Sequence, residues 1–80
     1  MAKKAIEVEV YDNGTSTTIV AKKYRSYDKA AEDAENLSRQ YGNHTVYLFM
    51  VNFYGTHVTR KEWKNGVHDE SKDSTWRIGY

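Results

Sequence analysis

Residues 46–55 read Val46-Tyr47-Leu48-Phe49-Met50-Val51-Asn52-Phe53-Tyr54-Gly55, and the alternating positions of this stretch are apolar on both sides. A strand of this kind needs cover on each of its faces. At 80 residues the chain makes a single domain, 1–80, and a domain of that length hides only roughly 60–65% of the surface it exposes when unfolded. Two covered faces are therefore a heavy demand. Gly55 marks a turn into a second strand, "THVTRKEW". A two-residue turn at Tyr54-Gly55 sets Val51 opposite Val58 and Phe49 opposite Arg60 on one face, with Met50 opposite Thr59 and Val46 opposite Trp63 on the other.

Upstream, Ile6, Val8 and Val10 alternate with Glu7, Glu9 and Tyr11, the period of a strand with one buried face. Asp12-Asn13-Gly14-Thr15 supplies a turn. A tight hairpin there pairs Val8 with Ile19, Val10 with Thr17 and Ile6 with Ala21, leaving Glu7, Glu9, Val20 and Lys22 on the opposite side. Ser26 is the expected N-cap of a helix over "YDKAAEDAENLSRQYG", with Asp28 near its positive end and Gly42 as its stop. Ala30, Ala31, Ala34, Leu37, Ser38 and Tyr41 form its inner side. Lys64-Asn65-Gly66 marks another turn, "VHDESKDS" reads as a solvated loop, and "TWRIGY" as a short fifth strand or a packed tail. The order β-β-α-β-β predicts an α+β fold with one helix on a four-stranded antiparallel sheet, strand order 2-1-3-4.

Composition narrows the function classes. A formal net charge of +1 gives little support for a polyanion partner. The absence of cysteine removes disulfides and thiolate zinc sites, which fits a reducing, cytoplasmic setting. "MAKKAIEVEV" lacks the apolar core of a signal peptide, and no run is long enough to span a membrane.

No catalytic pattern emerges. His44, His57 and His68 are too widely spaced for a metal motif and read as surface imidazoles. The loop bearing His68, Asp69, Glu70 and Asp73 lacks the glycine and terminal glutamate of a calcium loop. Glu7 and Glu9 share a face, but Lys22 beside them makes them cross-strand charge partners with no reason for a raised pKa. The serines fit no nucleophile pattern and no glycine loop cradles phosphate. The expectation is a protein without enzymatic activity, metal or cofactor.

What remains is the second face of the opening stretch, carrying Tyr47, Phe49, Val51 and Phe53. Three covers are open. Trp63, Trp76, Ile78 and Tyr80 can fold back over it, a second copy can pair with it, or another macromolecule can seat there, steered by Lys22, Arg60 and Lys61 at its rim. Aromatic rings among basic residues also suit single-stranded nucleic acid, although "VNFYGTHV" lacks the basic-Gly-aromatic-Gly order of an RNA-recognition motif.

The hairpin "AIEVEVYDNGTSTTIVAKKY", the helix "SYDKAAEDAENLSRQYG" and the aromatic strand "VYLFMVNFYG" together resemble small phage-encoded or mobile-element accessory proteins of the anti-CRISPR and host-takeover type. The resemblance is one of architecture. It implies a non-catalytic inhibitor or adaptor that sterically blocks a host protein or nucleic-acid-processing complex in the host cytoplasm. A nucleic-acid-binding module and a structural homodimer are the alternatives.

Overall fold

The computed structural model describes residues 6–52 and 54–78. Strands Ile6–Asp12 (β1) and Thr17–Tyr24 (β2) precede a helix, Tyr27–Gln40 (α1). Strands Thr45–Val51 (β3) and His57–Lys64 (β4) follow, then Val67–His68 (β5), a 3-10 turn at Glu70–Lys72, and Ser74–Arg77 (β6). The antiparallel sheet runs β2-β1-β3-β4-β5, with β6 also paired to β4. The fold is α+β, as the alternation of patterns implies, and the expected order 2-1-3-4 forms its main part. No helix among the described residues is long and apolar enough to cross a membrane.

The helix covers one face of the sheet. Ile6, Val8, Val10, Val46, Leu48 and Trp63 meet Ala30, Ala34 and Leu37 in a buried core. Fully burying an aliphatic side chain of this kind contributes about 1.5–3 kcal/mol, so these alternate positions of β1 and β3 dominate folding. Alanines at 30 and 34, both at 0% exposure, let the helix axis approach the strands closely. The Ser26 hydroxyl accepts from the Lys29 amide at 3.5 Å, closing the first turn.

At the other end the helix stops at Tyr41, whose amide donates to Leu37 O at 2.8 Å. Gly42 is therefore not a left-handed cap. Its value is space, because a Cβ there would stand 2.9 Å from Asn65 Oδ1. The Asn65-Gly66 turn, with φ of 51° and 80°, is held against the helix by buried Ser38. That hydroxyl donates to Glu35 O at 2.7 Å and accepts from the Gly66 amide at 2.8 Å.

The β3–β4 register is the one the opening stretch implies: Val46 faces Trp63, Phe49 faces Arg60, Met50 faces Thr59 and Val51 faces Val58. The turn is wider than two residues. Gly55, at φ 72°, donates its amide to Asn52 O at 3.0 Å, and the Asn52 side chain accepts from the amides of Thr56 and His57.

The first hairpin departs from expectation. Ile6 pairs with Tyr24, Val8 with Lys22 and Val10 with Val20, then the register slips so that Tyr11 pairs with Thr18. Ile19 is the extra residue of this β-bulge. The loop is also longer than a tight turn: Asp12 Oδ1 accepts from the Gly14 and Thr15 amides, and Ser16 takes the positive φ, 58°. Val20 and Lys22 consequently share the helix-side face with Val10 and Val8.

Residues 67–77, expected to include a solvated loop, form one interrupted outer strand. Trp63 pairs with His68 and Arg60 with Ser74, so residues 69–73 stand opposite Lys61 and Glu62 alone. The surplus is folded into the 3-10 turn, capped by Asp69 accepting from the Ser71 amide. His68 lies half-buried, stacked on Trp63 at 4.6 Å and 2.8 Å from Asp73 Oδ1. His44 is likewise half-buried, 3.9 Å from Asp12 Oδ1, so of the three imidazoles only His57 is fully at the surface.

Candidate binding face

The sheet face turned away from α1 is built on Tyr47, Phe49 and Val51, which alternate with the buried Val46 and Leu48. All three are half-buried. Tyr11 packs edge-on against Tyr47 at 6.1 Å, and Tyr47 lies 6.0 Å from Phe49. Arg60 stands across from Phe49, its guanidinium 5.3 Å from the Tyr47 ring and 6.0 Å from that of Trp76. These cation–π contacts hold the guanidinium against the face. Its Nε is buried without a hydrogen-bond partner, and among the described residues Arg60 makes no ion pair.

Among the described residues, the C-terminal strand does not roof this surface. Trp76 pairs with Val58 at the sheet edge and stays 43% exposed. Ile78 donates its amide to Thr56 O at 2.8 Å and is 38% exposed. Trp63 points the other way, into the helix-side core. Phe53 and Tyr80 lie outside the described residues.

Two expected contributors stand elsewhere. Lys22 is opposite Val8 and Lys61 opposite Leu48, so both project on the helix side. The Lys61 ammonium sits 5.1 Å over the Tyr27 ring, and the Tyr27 hydroxyl raises its pKa. Lysine stems tolerate such half-apolar positions, which is why charge alone misplaced them.

The bulge brings Lys23 to the far face, opposite Glu7. In register with the stripe stand three carboxylates, Glu7, Glu9 and Glu62, and two cations, Lys23 and Arg60. Glu9 lies opposite Ala21 on one side and Tyr47 on the other. Burial, and then the neighbouring Glu7, push its carboxyl above the usual range, while a hydrogen bond from Thr18 at 3.2 Å acts in the opposite sense. Glu9 thus has an environment that its sequence position does not reveal. Burial and then the Glu62 charge raise Tyr47 as well.

An open depression of about 610 Å³ lies on this face, walled by Glu7, Glu9, Lys23, Phe49, Val51, Val58 and Trp76 and reaching Ile6 and Tyr24 at the sheet end. Its walls mix apolar side chains with carboxylates. Among the described residues no three His, Asp or Glu side chains gather in a way that could hold a metal.

Tyr24, packed against the core, gives a pH test of this end of the sheet. Its hydroxyl is shielded from solvent and lies beside the Asp33 carboxylate, outside strict hydrogen-bond geometry. Burial, then the nearby Asp33, push its pKa up to about 12 from 10.0. Because the folded value is raised, the stability contributed by the neutral phenol is intact below about pH 10 and is lost as pH climbs toward 12. Urea midpoints measured from pH 8 to 11.5 should fall more steeply for wild type than for Tyr24→Phe. Parallel curves would mean that the Tyr24 hydroxyl is solvated in the folded protein.

Comparison with known proteins finds no matching family model, no matching curated protein and no matching solved structure.

Proposed function

We propose that this chain is a non-catalytic binding protein that acts by seating the far face of its sheet on another macromolecule. It serves as an inhibitor or adaptor of the phage and mobile-element type, blocking a host protein or nucleic-acid-processing complex in the host cytoplasm. The supporting observation is the Tyr47–Phe49–Val51 stripe with Arg60 laid across it, left uncovered by both the helix and the C-terminal strand. Rigid rings and an oriented arginine bury with little loss of conformational freedom, the make-up of a binding hot spot. The three carboxylates in register with the stripe oppose a polyanion, which ranks nucleic acid below protein as the partner.

The test is capture of a host protein by wild type and by two variants, followed by direct affinity measurement. Phe49→Ala and Arg60→Ala should each weaken the complex by about 2 kcal/mol or more, roughly 30-fold, with the fold retained. Lys22→Ala, on the other side of the sheet, should leave affinity unchanged. Sub-micromolar, salt-sensitive binding of single-stranded nucleic acid near physiological ionic strength would overturn this reading.

A further inference from the structure

At the level of Phe49 the far face is charge-complementary to itself. Phe49 lies on the middle strand, with Glu7 of β1 directly on one side and Arg60 of β4 directly on the other. Consider two such sheets face to face, related by a two-fold axis that runs parallel to β3 in the plane between them. The rotation exchanges the two flanks and keeps the level along the strands, so β1 of one copy falls over β4 of the other. Glu7 then meets Arg60 twice, on either side of a Phe49–Phe49 contact. The same operation carries the exposed Trp76 of each copy over the Tyr24 side of the other's depression.

We infer that in the free protein this face is occupied by a second copy of the chain, in a symmetric sandwich with Phe49 on the axis and two Glu7–Arg60 pairs beside it. The inference rests on the reading of the far face as the contact surface and names its occupant when no other target is bound. Arg60 suits the role because it is already held by two rings and makes no ion pair within its own described chain. Aligned packing of two twisted sheets is a common arrangement and needs no change in either. An isologous contact of this kind closes on itself and forms no filament.

The pairing is weak for two reasons. With strands about 4.8 Å apart and residues about 3.4 Å apart, the face offers a footprint of roughly 20 by 20 Å per copy, about 800 Å² in all, below the size of stable specific interfaces and within the range of weak, transient ones. The two-fold also sets Glu9 against Glu62 of the second copy on both sides of the axis, two like-charge meetings that work against the two Glu7–Arg60 pairs. A reversible dimer with a dissociation constant on the order of 10–100 µM is the expected result.

Sedimentation equilibrium across a wide concentration range tests this directly. Wild type should dimerise, Glu7→Arg and Arg60→Glu should each be monomeric, and an equimolar mixture of the two variants should recover a dimer with affinity near that of wild type. Only an arrangement that brings position 7 of one copy to position 60 of the other restores both pairs on mixing. Should either charge variant fail to fold by circular dichroism, Phe49→Arg takes its place, since it sets like charges on the axis and must give a monomer. Ile19→Lys, on the free edge of β2, should leave the dimer intact.

A wild type that stays monomeric at about 1 mM, a folded mixture that stays monomeric, or a dimer broken by Ile19→Lys but not by Phe49→Arg would each overturn the inference. A monomer that still captures a host target through Phe49 would leave the proposed function standing. A dimer whose Phe49 and Arg60 variants capture the target normally would do the reverse.

Discussion

Leu48→Ala should lower the free energy of unfolding by about 2–5 kcal/mol, whereas Phe49→Ala, one residue along the same strand, should cost less than half as much. Leu48 is at 0% exposure on the helix side, between Val8 and Lys61. Its truncation leaves a cavity that the rigid alanine-lined helix cannot fill. Phe49 faces outward, half-buried among Glu7, Tyr47 and Arg60, and its loss opens a dent that water enters. Denaturant curves run at low protein concentration, where self-association is absent, separate the two. Equal losses would mean that the stripe is closed core in solution, and the binding face would have to be sought at the sheet edges.

Trp63→Ala should be comparably severe, at about 3–5 kcal/mol. Trp63 is only 4% exposed, lies opposite Val46 and stacks on His68. It therefore anchors both the core and the short β5. Small domains possess only about 5–15 kcal/mol of stability in total, so this variant should be near the limit of folding. Amide exchange adds a local signature. The amide of Asp69, bonded to Glu62 O at 2.9 Å, should lose protection relative to β1 amides. A loss under about 1 kcal/mol with that protection unchanged would remove Trp63 from the core.

Where the sequence was legible, side-chain period and turn chemistry agreed. The β3–β4 register followed from alternation plus Gly55, and the helix from Ser26 and its alanine row. The opposed faces of Leu48 and Phe49 needed nothing more. The first hairpin was misread because its decisive features carry no period: Ser16, not Gly14, takes the left-handed conformation, and Ile19 is inserted without a partner. That single slip moved Lys22 off the face and Lys23 onto it.

Lys61 was misplaced for a different reason. A lysine opposite buried Leu48 looks like a surface charge, and only the Tyr27 ring beneath it explains its position. For Trp76 the sequence leaves two readings open, because nothing in "TWRIGY" distinguishes a strand that widens a sheet from a tail that folds over it; the structure shows the strand. Tyr47, Phe49, Val51 and Arg60 were placed together correctly, since they depend only on β3 and β4.

The interruption of the outer strand has a practical side. The segments on either side of residues 69–73 each hold their own register on β4, one through Trp63 and Lys64 and the other through residues 57–60. Neither register depends on how many residues join them. The joint therefore behaves as a splice point: chain spliced in between Ser71 and Lys72, whether an epitope, a fluorophore-bearing peptide or a small domain whose own termini lie close together, lengthens the excursion without moving a ladder bond. Because that joint lies along the outer edge and not on the aromatic face, a label carried there reports on what the face touches while leaving the face itself unaltered.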